Sequence, residues 1–365
     1  MNKTFVARLG IIVACLVLCV GSAFAETGRR WESKYEAYGR TITVNVEISV
    51  PEKEQIPFLA VAPAEELPAE EAEKYREYFG SLDRSGSEYT FFSRGNRIHI
   101  SFSDHVHHPD LSNAEKVTTP YRTLAEFDRS TAYAEDNGLT VGEAEELVNG
   151  NIQTVVPSVS FRAWDIVVND RTKYRKTGEK LTDKGYYELD CVQVFDGVPL
   201  AGSVHSAYRE RTKHDAVMAG CGTAYINVTD RDNFEGSYEL WNVLEELETP
   251  DRLISFDEAR KAVEELILSG NIRNVYHAAL GYAQYDLPEG SRYEYVLAPA
   301  WVFWVGWMDD PEEDTATEKS VNGTDVAMGC TYLPVIVNAV TGEATYPPDE
   351  REGRMLLPES CMPQE

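Results

Sequence analysis

The chain reads as an α+β protein in which antiparallel sheets are each packed by one helix. Three features predict this. Ile42, Val44, Val46, Ile48 and Val50 alternate with polar residues through Thr41 to Val50, the period of a strand buried on one face. Two helix starts share one capping pattern, Thr140-Val141-Gly142-Glu143-Ala144 and Ser255-Phe256-Asp257-Glu258-Ala259. Each is followed by β-rich segments set apart by turn residues, so the later part of the chain reads as a duplicated helix-and-meander unit.

Taken in order, the first strand ends at Pro51. Pro68 to Phe79 reads as a helix, with Pro at its start and acids in its first turn. Glu88 to Ser93 and Arg97 to Phe102 read as strands joined across Arg94-Gly95-Asn96. Residues 26–125 are therefore assigned to a small N-terminal α+β domain, and 126–138 to a linker within a polar stretch that lacks any period. Residues 139–250 and 251–365 hold the two copies. In each helix start the Thr or Ser N-cap and the Glu three residues on satisfy open N–H groups reciprocally. The helices are expected to exit at Gly150-Asn151-Ile152 and Gly270-Asn271-Ile272, with Gly in the left-handed C′ position and the second helix about one turn longer. In the first copy, strands follow at about Ser158 to Val168, Tyr186 to Phe195, and from Val198, with Asp196-Gly197 as a hairpin turn. In the second they fall at Tyr276 to Tyr285, Tyr293 to Trp307 and Tyr332 to Val340, and Thr341-Gly342 turns the chain into Glu343 to Tyr346. Trp301, Phe303, Val305 and Trp307 alternate with Val302, Trp304 and Gly306. Both faces are apolar, which reads as a central, covered strand; an aromatic groove for a peptide is the alternative.

Lys3 and Arg8 precede an apolar run, and Ala23-Phe24-Ala25 offers small residues at both positions a signal peptidase reads. Residues 1–25 are expected to be a signal peptide, and the protein to be secreted or held at the outer face of the cell envelope. The run Leu9 to Ala25 is 17 residues, at the short edge for an uncleaved anchor. Ile12-Val13-Ala14-Cys15 offers a second reading, a lipobox with Cys15 lipidated. No membrane span is expected in the mature chain.

Against 34 Lys and Arg stand 61 Asp and Glu, for a net charge of −27. Such a chain repels phosphate backbones, so nucleic acid is a poor partner. Cations, basic peptides and basic protein faces fit better, and solubility alone is the plain reading. Signal cleavage would leave Cys191, Cys221, Cys330 and Cys361. An even number in an exported chain points to two disulfides. Three pairings are open, and Cys191–Cys221 with Cys330–Cys361 keeps each bridge within one copy.

Four of the seven histidines, His99, His105, His107 and His108, lie close together near Asp104 and Asp110. On a strand, His105 and His107 would share a face, as zinc ligands could. A solvated loop is the competing reading. Asp309-Asp310-Pro311-Glu312-Glu313-Asp314 offers oxygen ligands to calcium, but without EF-hand spacing or its Gly. There is no Gly-x-Ser-x-Gly, no His-Glu-x-x-His and no phosphate-cradling loop. Cys221 near His214 suggests a thiol–imidazole pair, although a disulfide is the expected state. No catalytic or cofactor-binding residue is assigned, and no enzyme activity is expected.

Tyr332-Leu333-Pro334-Val335-Ile336-Val337-Asn338-Ala339-Val340-Thr341-Gly342-Glu343 is similar to the closing strand and turn of PepSY domains. Ser255 to Ala259 resembles the helix start of the same domain. Leu297-Ala298-Pro299-Ala300-Trp301 and Gln193-Val194-Phe195-Asp196-Gly197-Val198-Pro199 resemble segments of YycI-like regulatory proteins. The first strand and following helix resemble uncharacterised exported proteins and lipoproteins of Gram-positive bacteria. The resemblance implies a duplicated PepSY-like unit. It also implies a non-catalytic envelope protein that binds or regulates an extracytoplasmic protein or peptide. A modulator of a secreted protease and a secreted metal-dependent hydrolase are the alternative functions.

Overall fold

The structure is a computed structural model that describes residues 30–37, 39–82, 88–103, 105–106, 122–123, 130–132, 139–169, 173–175, 180–182, 186–202, 221–307, 317–319, 325–327, 331–345, 357 and 361. In chain order the elements begin with strands β1 (Arg30–Ala37), β2 (Arg40–Ser49) and β3 (Leu59–Pro63), then helix α1 (Ala69–Gly80). The hairpin β4 (Glu88–Arg94) and β5 (Arg97–Ser103) follows, then helix α2 (Val141–Val155). Next come β6 (Ser160–Asn169), β7 (Tyr186–Phe195), β8 (Val198–Gly202), β9 (Thr223–Asp230), β10 (Asn233–Glu239) and β11 (Trp241–Glu246). Helix α3 (Phe256–Leu268) leads into β12 (Ile272–Asp286), β13 (Tyr295–Trp307), β14 (Thr331–Asn338) and β15 (Ala344–Thr345). With the two-residue strand Arg122–Thr123 on β6, these make, among the described residues, one mixed sheet of sixteen strands.

The sheet has two halves. In the first, β4, β5, β10, β9, β7 and β6 lie side by side, all antiparallel. In the second, the long β12–β13 hairpin is the spine. One edge of β12 takes β2 and then β8, both parallel to it. The free edge of β13 takes β14 and then β3, both antiparallel. Strand β8 is the seam between halves. It leaves β7 through the Asp196-Gly197 turn, pairing Phe195 with Val198, and then pairs Leu200 with Tyr282.

This corrects the expectation of separate helix-packed α+β units and of a duplicated PepSY-like layout. The N-terminal strands do not form a layer of their own. Hairpin β1–β2 completes the second half through β12, and hairpin β4–β5 completes the first through β10. Strand β3 lies between β13 and β11. The physical reason is edge satisfaction. A strand's alternation fixes which face is buried, but each open edge still needs a partner, and sequence-distant hairpins supply it.

Both capping boxes form. Glu143 N donates to Thr140 Oγ1 at 3.1 Å and Thr140 N to Glu143 Oε2 at 2.9 Å. The corresponding bonds at Ser255 and Glu258 are 3.2 and 2.8 Å. The helix exits differ from expectation. Gly270 adopts φ +78° just beyond α3, but α2 runs through Gly150 to Val155, because Ile152 and Val155 are buried and hold the last turn down. Helix α2 is therefore the longer, at 15 residues against 13.

Helix α3 lays Ala259, Val263 and Ile267 over Phe303, Val335 and Val337, with Trp31 of β1 closing the side. Trp31 is 1% exposed, although the sequence around it is polar. Helices α1 and α2 cover the first half, where Phe79, Val148 and Ile152 meet Ile100, Leu189 and Ile226. The back of β12–β13 is a floor of small residues, Ala279, Ala283, Ala298 and Ala300, under Leu357 and Cys361. Strand β13 is thus covered on both faces. Asn338 builds the turn that follows β14: its Oδ1 accepts from Val340 N and Thr341 N, and Gly342 supplies φ +77°.

Buried His277 sits on β12 opposite Trp304. Burial, with a smaller contribution from Arg162, pushes its imidazole down to about 4. The unfolded chain therefore binds this proton more readily than the folded one at any pH between about 4 and 6.5. Stability from this group is present above that window and lost as pH falls through it. Urea unfolding should show a loss of about 2 kcal/mol from pH 7 to pH 5 that is absent in His277→Gln. Identical pH slopes in both proteins would refute the assignment.

Candidate functional site

The outer face of the first half-sheet is the side away from α1 and α2. Alternation places Ile98, Ile100, Phe234, Tyr238, Ala224 and Ile226 inward, in the core. The intervening residues line up outward in register. Phe92 on β4 pairs with His99 on β5, His99 with Ser237 on β10, Ser237 with Tyr225 on β9, and Tyr225 with Asp190 on β7. The adjacent row is Thr90, Ser101, Glu235, Asn227 and Glu188. Phe92 and Tyr225 stay 39% and 37% exposed.

The register sets the small Ser237 of β10 between His99 and Tyr225, and this low strip between ring-bearing strands is termed the slot. On one side the Phe92 and His99 rings stack, with centroids 4.8 Å apart and planes 14° off parallel. His99 Nδ1 lies 2.9 Å from Ser237 Oγ, which orients the imidazole. Burial lowers its pKa; Glu235 opposes the shift and Arg97 adds to it. On the other side stands Tyr225, whose hydroxyl is pushed up to about 12 by burial and by the carboxylates of Glu188, Asp190 and Glu235. Ser237 floors the slot. Arg97, hydrogen-bonded to the buried Glu239, closes one end, and Glu235 stands toward the other.

The histidines of the expected zinc set are not brought together by what the structure describes. His99 faces Phe92 and Ser237, neither a metal ligand in this setting. The backbone of His105 pairs with Arg175 in a short separate ladder, and His107 and His108 lie outside the described residues. Among the described residues, no three His, Cys, Asp or Glu side chains are grouped to hold a metal ion. The acidic run 309–314, His214, Cys330 and residues 1–25 also lie outside them.

Cys191 and Cys221 are buried free thiols in this structure. Cys191 pairs with Ala224, three residues beyond Cys221. The two sulfurs lie in different cores, Cys191 under α2 and Cys221, in the turn before β9, in that of the second half. Burial raises both thiols, Cys221 to about 12, which argues against a nucleophilic role. Cys361 is buried with its sulfur 3.8 Å from Asn338 Oδ1.

No family model matches the chain, and no curated protein matches it. Its fold is similar to that in the crystal structure of an uncharacterized protein from Eubacterium rectale ATCC 33656. The TM-score is 0.50 at 14% identity, over 83% of this chain and 90% of that one. The likeness is one of fold alone. Among the described residues no helix is long and apolar enough to cross a membrane.

The outer face leaves only a faint trace in the sequence. Its signal is an aromatic out of phase with the buried set: Tyr225 between Ala224 and Ile226, and Phe92 directly after Phe91. Such doublets read as ordinary strand until the buried phase is known.

Proposed function

We propose that this protein is a non-catalytic, extracytoplasmic binding protein that holds a protein or peptide partner on the outer face of the β4–β5–β10–β9–β7 half-sheet. The observation that carries this is the exposure of Phe92 and Tyr225 on one in-register row. Exposed aromatics on a rigid sheet supply large contact area at little entropic cost, the usual make-up of binding hot spots. The signal-peptide pattern of residues 1–25 supports an extracytoplasmic setting.

The test compares the full chain with a Phe92→Ala/Tyr225→Ala double variant as baits for envelope proteins of the producing organism. The expected result is a partner held by the first and weakened at least about tenfold by the second, as for loss of hot-spot aromatics. Both side chains are partly exposed and outside the core, so the thermal midpoint should fall by no more than about 5 °C. Equal retention by the two baits would rule this surface out.

A further inference from the structure

We infer that the slot over β10 takes an arginine side chain presented by a basic, extended segment of the partner. This deepens the reading of the outer face as the binding surface and rests on it.

The walls of the slot are rings and its floor is a small hydroxyl. The Phe92–His99 stack and Tyr225 lie on strands two spacings apart, roughly 10 Å, with Ser237 between them. A ligand side chain entering here must be slim, with one face suited to an aromatic ring. A planar guanidinium meets both conditions, stacking on the tyrosine face as a cation. The charges select the same chemistry. Glu235 stands beside Ser237 in the next row, and Glu188, Asp190 and Glu235 all act on the Tyr225 hydroxyl. Of the two cations at the closed end, Arg97 is held by Glu239, and Arg94 pairs with Arg97 in register, a row beyond Phe92. An anionic ligand would meet carboxylates, and an apolar one would cover Glu235 without water. The net charge of −27 would steer a basic segment toward the molecule from a distance.

The experiment uses fluorophore-labelled hexa-arginine as the probe, on the full chain at low ionic strength, with binding read by anisotropy. Tyr225→Leu and Glu235→Gln should each weaken binding by about tenfold, as for loss of a desolvated cation–π or charge partner. A Glu65→Gln/Glu77→Gln variant, which removes two exposed charges elsewhere, should change it less than about twofold. Hexa-lysine should bind several-fold more weakly, and hexa-glutamate should not bind. An equal loss in the Glu65/Glu77 variant would reduce the effect to bulk charge and overturn the inference, as would no binding of hexa-arginine. Thermal midpoints check that each variant is folded. If Phe92→Ala/Tyr225→Ala loses the natural partner while hexa-arginine fails to bind, the surface stands and its arginine chemistry falls. If partner retention is also unchanged, both fall.

Discussion

Gly281→Ala should destabilise the protein by about 3 kcal/mol, the upper range for forced overpacking. A Cβ on Gly281 would lie 2.5 Å from the carbonyl oxygen of Pro199 and 2.6 Å from Ala201 Cβ. One of these atoms is backbone, and it belongs to β8, the strand that joins the two halves. Relief would require β8 to move off β12, where Leu200 pairs with Tyr282. The cost therefore falls on the seam and not on one side chain. A contrasting glycine calibrates the result. Gly150 sits within α2 with open space where its Cβ would be, so Gly150→Ala should stabilise by about 0.5–1 kcal/mol through helix propensity. Urea unfolding of both variants decides the matter. A Gly281→Ala protein within about 1 kcal/mol of wild type would show that β8 is not tightly seated.

Gln193→Leu should cost a similar amount, about 3 kcal/mol, for a different reason. The Gln193 amide imitates a strand. Its Nε2 donates to Trp241 O at 3.0 Å, and its Oε1 accepts from Trp241 N at 2.9 Å. All of these groups are buried. Leucine nearly matches the volume but strands one N–H and one C=O away from water, each at about 1–3 kcal/mol. The affected backbone is where the chain passes from β10 into β11, so the first-half ladder and the β3–β11 pair would loosen together. Hydrogen exchange should show faster exchange at Trp241 and its neighbours in Gln193→Leu, with α3 less affected. Wild-type stability in Gln193→Leu would mean that the two backbone groups find other partners.

What the sequence discloses depends on whether a feature is local. The capping boxes at Thr140 and Ser255 are local, and they form as their spacing predicts. So do the Asp196-Gly197 turn, with φ of 47° and 81°, and the Gly342 turn. Strand edges are not local. Nothing in Ile42 to Val50 says that this strand will lie parallel to a segment some 230 residues later, pairing Ile48 with Ala278. Strand β1 was hidden by composition: Trp31, Ser33, Tyr35 and Ala37 share a face, but charged neighbours mask the alternation. Strands β9 and β10 do not stand out either, because Asn227, Glu235 and Ser237 interrupt their apolar residues. The site shows the same division. His99 stood out as part of a histidine cluster, yet its neighbours come from the strands beside it, Phe92 and Ser237, and make it part of an aromatic slot. Tyr225 shows only as an aromatic out of phase with Ala224 and Ile226, and Glu235 not at all, because pairing across β9 and β10 is what brings them beside it.

The pairing of β2 with β12 also governs the order in which the molecule can be made. As the chain emerges during synthesis, hairpins β1–β2 and β4–β5 are complete long before their neighbours exist. β4–β5 must wait for β10, and β1–β2 for β12. Closing such long loops is entropically costly before any contact repays it, so folding is expected to be slow and to finish late, when β12–β13 forms. Until then two hairpins carry apolar faces and open edges, the features that promote wrong association. The strong negative charge of the chain acts on that interval too, since mutual repulsion keeps half-made copies apart while the spine is still to come.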